Sequence, residues 1–235
     1  MGAGIDLLET GSLTVGGFLQ AATNRTFLAE VASGDADGVR AVYKPIAGEA
    51  PLWDFPPGTL ANREVAAYRL SLALGWPRIP PTVLRSGPLG EGAVQLFVEH
   101  DPAHHYFTLR GACPEEFVAV AAFDVIVNNA DRKGGHCLLD ADGRVWVIDH
   151  GLCFHEDPKL RTVIWDFAGT LLPPDRLADV ERVAGELGAG SLRDELGSLL
   201  SEREIDRAAA RAEGLAAERT LPRPGPGRVV PWPPV

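Results

Sequence analysis

Cysteine, lysine and long apolar runs are all scarce in this 235-residue chain. Its three cysteines, Cys113, Cys137 and Cys153, are an odd number without metal-type spacing. Neither a disulfide framework nor a zinc site is expected, and the thiols read as reduced ones in a reducing compartment. The longest uninterrupted apolar stretch, Phe117 to Phe123, falls far short of the roughly 20 residues that a membrane-crossing helix needs. Asp6 and Glu9 stand where a signal peptide would be basic and then apolar. Position 6 also lacks the Ser or Thr of a myristoylation signal. A soluble, cytoplasmic protein is expected. Positive charge is short as well: 22 Lys and Arg against 32 Asp and Glu give a net charge of -10. That balance argues against a nucleic-acid surface and against adhesion to an anionic membrane. No internal repeat is visible, which excludes solenoids and propellers.

What is present is ordinary globular composition, 46% hydrophobic and 23% charged, in a length that suits one large domain or two small lobes. Residues 26–31 and 39–44 read as strands around the turn Ser33-Gly34-Asp35-Ala36-Asp37-Gly38, and Pro45 ends the second. A Pro/Gly-rich loop over 47–58 leads to a helix from an N-cap at Thr59 through about Leu74, closed by Gly75. Residues 94–98 form a buried strand. Pro114 opens a helix whose segment Phe117 to Val127 is apolar nearly all round, the mark of a central buried helix. A hairpin follows, with Cys137 to Leu139 and Arg144 to Ile148 flanking Asp140-Ala141-Asp142-Gly143. Residues 175–219 read as two or three amphipathic helices, and the last fifteen residues, with six prolines, as an extended tail. Strands first and helices second give an α+β, two-lobe pattern with its boundary near residue 100.

The chemistry-bearing residues cluster around that hairpin. Pairing Leu139 with Arg144 places His136 opposite Val147, with Asp149 one step beyond. Asp131, His136 and Asp149 then meet at the hairpin mouth. Two carboxylates and an imidazole there could bind a divalent cation and accept a hydroxyl proton, the two services that phosphoryl transfer needs. Lys44 lies on a strand and is one of three lysines in the chain. Glu64 lies one turn into the next helix. A strand lysine held by a helix glutamate can place a cation on nucleotide phosphates.

With Val42-Tyr43-Lys44-Pro45, Gly48-Glu49, Arg63-Glu64-Val65-Ala66-Ala67-Tyr68, Asn129-Ala130-Asp131-Arg132 and Ile148-Asp149-His150-Gly151, the sequence resembles the phosphatidylinositol 3-/4-kinase-like branch of the protein-kinase-like superfamily. Within that branch it is similar to small actinobacterial kinase-like proteins. The resemblance covers about residues 10–215. It implies a β-rich N-lobe over 1–100 that binds nucleotide phosphates and a mostly helical C-lobe over 101–220 with an embedded catalytic hairpin; residues 221–235 are the Pro-rich tail. It makes Lys44 the phosphate lysine, Glu64 its partner, Asp131 the catalytic base with Arg132 beside it in the catalytic loop, and Asp149 a metal ligand. Thr23 and Asn24, in the turn from Ala22 to Thr26, take the place of the phosphate-covering loop. Leu96 to Glu99, with Leu96, Val98 and Glu99 as contacts, would bind adenine. His136 stands where the family has a metal-binding Asn, which suits Mn²⁺ better than Mg²⁺, and His150 replaces an aromatic.

The implied function is an ATP-dependent phosphotransferase that uses Mg²⁺ or Mn²⁺ and moves the γ-phosphoryl group to a hydroxyl of a small molecule or protein. A nucleotide-binding pseudokinase and an AMP-transferring enzyme are the alternatives. Nucleic acid, integral membrane association and a phospholipid acceptor are not expected. Each residue also has a structural alternative: Lys44 as a surface lysine, Glu64 as an exposed helix charge, Asp131 as a turn residue, Asp149 as a strand-end cap, His136 as a loop histidine bonded to backbone. Asn129 and Arg132 read as braces of the catalytic loop, and Asp166 as a helix cap or, alternatively, a residue lining the substrate cleft. His100 and His104 have zinc-like spacing, but Pro102 between them breaks the helix they need. Asp140 to Gly143 resembles a calcium loop, yet Arg144 stands where a ligand oxygen belongs.

Overall fold

The computed structural model describes residues 2–19, 24–34 and 38–235. Thr23 and the tip of the turn between residues 34 and 38 lie outside them. Helix α1 (Gly2–Thr10) leads into strands β1 (Ser12–Phe18), β2 (Phe27–Ala32) and β3 (Val39–Pro45), followed by α2 (Leu60–Leu74), β4 (Thr82–Gly87) and β5 (Gly90–Leu96). These strands make one antiparallel sheet in the order β1-β2-β3-β5-β4.

Alternation along the strands sorts the two faces. Ala29, Val31, Ala41, Tyr43, Val83 and Val94 pack with Leu8 of α1 in one cluster. Ala93, the cross-strand partner of Lys44, packs instead with Ala61 and Val65 of α2. Lys44 therefore stands on the α2 side of the sheet, where Glu64 is.

Beyond the sheet come α3 (Tyr106–Leu109), α4 (Pro114–Val127), the hairpin β6 (Cys137–Leu139) and β7 (Val145–Val147), and helices α5 (Pro174–Ala189), α6 (Ser191–Leu196) and α7 (Glu202–Glu218). Helix α4 is the buried core element its composition predicts. Phe117, Val120, Phe123, Ile126 and Val127 join Leu70 and Leu74 of α2 and the inner faces of α5 and α7 in the largest apolar cluster. No helix among the described residues is long and apolar enough to cross a membrane.

Several sequence expectations need correction. Strand β4 has no counterpart in the sequence expectations, which place no element between Gly75 and residue 94. It pairs with β5 around the two-residue turn Pro88-Leu89, with Gly90 at φ 99. The hairpin register is shifted by one residue: Leu139 pairs with Val145 and Cys137 with Val147. Asp140 causes the shift. Its carboxylate accepts from the amides of Asp142 and Arg144 at 3.0 and 2.8 Å, which builds a three-residue loop with Gly143 at φ 76, the standard bulged alternative to a two-residue turn. His136 still ends beside Ile148, whose amide donates to its carbonyl at 3.0 Å.

Thr59 makes no side-chain cap; its hydroxyl donates to Pro56 O at 2.8 Å. Glu49 from the preceding loop accepts instead from Ala61 N at 3.0 Å. Asp166 caps no helix and takes the Tyr106 hydroxyl and the Arg110 guanidinium, each at 2.6 Å.

Helix α2 is also pinned to α7 by charge. Arg63 is 1% exposed. It donates to Cys153 O at 2.6 Å, pairs with Glu204 and lies over the Phe55 ring. Because removing one partner strands a buried charge, Arg63→Ala is expected to cost about 3–5 kcal/mol. Urea unfolding checks this as a lowered midpoint at unchanged slope; a midpoint equal to wild type contradicts it.

Candidate active site

One cleft collects six of the predicted residues, Asn24, Lys44, Glu64, Asp131, His136 and Asp149. Its lining includes Asn24, Lys44 and Glu49 from the sheet side, Glu64 from α2, and Asp131, Lys133, His136 and Asp149 from the loops around the hairpin. Lys44 Nζ pairs with the Glu64 carboxylate and lies 3.0 Å from Asp149 Oδ1. The other Asp149 oxygen is 3.3 Å from His136 Nε2. Asp131 Oδ2 is 3.2 Å from Lys133 Nζ.

Asp149 reaches this position through an unusual backbone. Its φ of 65° lies in the left-handed region, uncommon for non-glycine residues although Asn, Asp and His enter it more often than others. Its support is local. His150 N donates to Glu64 Oε2 at 3.0 Å, Ile148 O accepts from Arg132 Nη1 at 2.9 Å, and Leu152 O accepts from Ala130 N at 2.9 Å. Glu64 thus holds both the lysine and the backbone that aims the aspartate.

The loop bearing Asp131 is braced from below. Asp124, the one charged residue in the buried part of α4 from Phe117 to Val127, and Arg132 are both fully buried. Arg132 Nε and Nη2 donate to the Asp124 carboxylate at 3.0 and 2.9 Å, and Nη2 also meets His150 Nε2 at 2.7 Å. Asn129 Nδ2 donates to Asp124 Oδ1 at 3.0 Å, while its Oδ1 accepts from Asp131 N at 2.9 Å. Arg132 is absent from the cleft lining and braces the loop from beneath.

The charges settle accordingly. Lys44 holds Asp149 far below the usual carboxylate range, although half of that side chain is open to the cleft. Burial works against the charge on Lys44, but Asp149 and Glu64 outweigh it and raise its pKa. Burial raises Asp131 in spite of Lys133, the direction that suits a base. Burial lowers His136 to about 4 and His150 well below its ordinary value, so both rings are neutral. Burial pushes Cys137 up to about 12 and raises Cys153 too, which leaves both thiols inert.

The donor set admits a divalent cation. Adjacent ligands of an octahedral ion bound at about 2.1 Å stand about 3 Å apart, close to the 3.3 Å between Asp149 Oδ2 and His136 Nε2. Among the described residues no group of three His, Cys, Asp or Glu side chains forms a ready-made metal cluster. Such an ion would need substrate phosphates and water for its remaining positions, the usual arrangement for Mg²⁺.

The structure does not gather every predicted residue. Leu96, Val98 and Glu99 lie outside the cleft lining. Leu96 packs on the sheet core, and Glu99 pairs with Arg40, whose guanidinium lies 4.2 Å from the Phe97 ring centre. Asn24 does face the cleft and also clamps the loop after β3, its Oδ1 accepting from Ala50 N at 2.8 Å. Two site residues escaped the sequence reading. Lys133 was legible as a second of only three lysines, two positions after Asp131. Asp124 was legible as the one carboxylate in the apolar stretch from Phe117 to Val127.

No protein-family model matches the chain. Protein Rv2133c of Mycobacterium tuberculosis is 39% identical over 262 residues, covering 97% of this chain and 94% of that protein. Phosphatidylinositol 4-kinase gamma 4 of Oryza sativa is 32% identical over 127 residues, covering 46% of this chain and 22% of that protein. Among solved structures, hydra Fam20 with sugar aligns at a TM-score of 0.55 and 14% identity, covering 91% of this chain and 87% of that one. The fold is kinase-like.

The two neutral histidines bear on acid stability. The unfolded chain takes up their protons as pH falls through 6.5, whereas native His136 resists to about 4. The stability that these two neutral rings contribute is therefore present above pH 6.5 and declines toward pH 4. His136→Gln is expected to make that decline shallower when urea midpoints are compared between pH 7 and pH 4.5, values that bracket most of this window. A decline as steep as wild type would show that His136 is not responsible.

Proposed function

This chain belongs to the family of the Mycobacterium tuberculosis protein Rv2133c, and we propose that it is an ATP-dependent phosphotransferase of the phosphatidylinositol 3-/4-kinase-like branch. The observation that carries this reading is the Lys44–Glu64 pair in contact with Asp149, in the cleft that Asp131 and His136 also line. Four separate chain segments supply these residues, and a surface charge pattern has no reason to assemble them. The identity to a plant phosphatidylinositol 4-kinase over 127 residues supports the branch. In this reading residues 1–100 form the lobe that grips nucleotide phosphates, 101–220 the catalytic lobe, and 221–235 an appended tail.

Each side chain then has a task. Lys44, kept in place by Glu64, neutralises phosphate oxygens. Asp149 and His136 would hold Mg²⁺ or Mn²⁺, which would supply positive charge to the oxygens on which charge develops. Asp131 accepts the proton of the acceptor hydroxyl as its oxygen bonds to the γ-phosphorus. The bond from that phosphorus to the β-phosphate oxygen breaks, and ADP departs. Lys133, beside Asp131, is placed to offset charge on the transferred group. Asn24 closes the sheet side of the phosphate site.

Adenine would lie toward Leu96, Val98 and Glu99. Leu96 pairs with Ala41, three residues along β3 from Lys44, or about 10 Å at strand spacing. That distance is within the length of a nucleotide. The acceptor is a hydroxyl of a small metabolite or of a protein.

The test is a thermal-shift titration with ATP, with and without Mg²⁺ or Mn²⁺. Wild type is expected to shift upward with nucleotide and metal together, by about 2.7 kcal/mol of stabilisation at a hundredfold excess over Kd. Asp149→Ala is expected to lose the metal-dependent part, and no shift with any nucleotide overturns the reading. Asp131→Asn should keep the shift while lowering transfer of γ-labelled phosphate by about 10²–10⁴-fold. Binding without turnover in wild type would instead identify a pseudokinase, and transfer of α-label an AMP-transferring enzyme.

A further inference from the structure

The Pro-rich segment does not trail into solvent. It leaves α7 along Gly169 and Thr170, where Leu221 N donates to Thr170 O and Gly169 N to Leu221 O, each at 2.9 Å. It then passes the loop that braces the proposed base. Thr162 N and Trp165 Nε1 donate to Val229 O at 3.0 and 2.9 Å. Gly134 N, three residues after Asp131, donates to Pro234 O at 2.7 Å.

Residues 161–163 are themselves laced to that loop. Arg132 N donates to Arg161 O at 3.0 Å and Val163 N to Arg132 O at 3.1 Å. The segment is therefore an added layer against the backbone that carries Asp131.

Two features say what kind of layer it is. Backbone hydrogen bonds hold it rather than side-chain burial: from Pro222 to Val235 only Pro231 is buried, and Trp232 is 78% exposed. It is thus removable. It also contains no Ser, Thr or Tyr from Leu221 to Val235, so it has no hydroxyl to receive a phosphoryl group. Its prolines favour the extended form without internal hydrogen bonds, which leaves its carbonyls free for the three donors.

We propose that residues 229–234 are a displaceable strap across the acceptor side of the cleft, and that the acceptor displacing it is an extended polypeptide offering carbonyl oxygens to Gly134 N, Thr162 N and Trp165 Nε1. This rests on the phosphotransferase reading above. An acceptor binds only the fraction of molecules whose strap is open, and its apparent affinity falls by that fraction.

The test compares the full chain with a variant in which residues 229–234 are replaced by three Gly-Ser repeats, which lack the prolines that hold the segment extended. A second variant ends at Arg228, which frees all three donors. Dephosphorylated casein serves as the polypeptide acceptor with γ-labelled ATP, and the ATP-induced thermal shift is read in parallel. For a strap closed about nine-tenths of the time, both variants should raise kcat/KM for casein about tenfold, with the ATP shift unchanged. A synthetic peptide of residues 222–235 should inhibit both variants in competition with casein. An intact ATP shift with unchanged or lower casein phosphorylation overturns the strap while sparing the phosphotransferase reading. No ATP shift in any of the three chains overturns both.

Discussion

A single buried ion pair, Asp124 with Arg132, governs the rest of the site. Both groups are shut off from water, and a charge so placed is tolerable only when its partner and its remaining hydrogen bonds are in place. Asp124 satisfies Arg132, Asn129 and, at 3.4 Å, the Thr162 hydroxyl. Arg132 in turn reaches Ile148 O and His150. One carboxylate on the central helix therefore fixes the loop before the hairpin, the chain after it and the segment beyond. Moving any one of them leaves a buried charge or donor unmet.

Above that dry network sits a wetter one. Asp131, Lys133 and Asp149 are partly open to the cleft, whereas Glu64 beneath them is buried. The buried members hold geometry, and the open members keep the charge that could meet a ligand. Glu64 links the two layers, since one of its oxygens takes Lys44 and the other the amide after Asp149. This division explains why the left-handed backbone at Asp149 is maintained: the groups on either side of it are committed to partners elsewhere. It also explains why His136 stays neutral beside a carboxylate, because burial outweighs the attraction of Asp149.

Much of this was legible along the chain. The apolar stretch from Phe117 to Val127 announced a buried helix, and Gly75 announced the end of α2. Residues 39–44 and the hairpin around Asp140 showed themselves by alternation and turn chemistry. Lys44, Glu64, Asp131, His136 and Asp149 could be singled out by type and order, and they line one cleft. Signals that depend on a distant partner were not legible. Strand β4 lies behind two prolines and declares itself only by pairing with β5. The α2 cap comes from Glu49, in the loop before the helix, where local rules pointed to Thr59. Asp140 moved the hairpin register by one through side-chain bonds that strand alternation does not encode.

The sequence by itself determined the elements with strong local physics: the helical stripes, the strands, the apolar core helix and the set of ionisable residues available for chemistry. Tertiary structure decided which of those residues share a cleft, which are buried and so shifted in charge, and where the Pro-rich segment lies. The division has a physical reason. Periodicity and turn preference act over a few residues, whereas a buried charge, a desolvated imidazole or a borrowed backbone carbonyl depends on partners that only folding brings within hydrogen-bond distance.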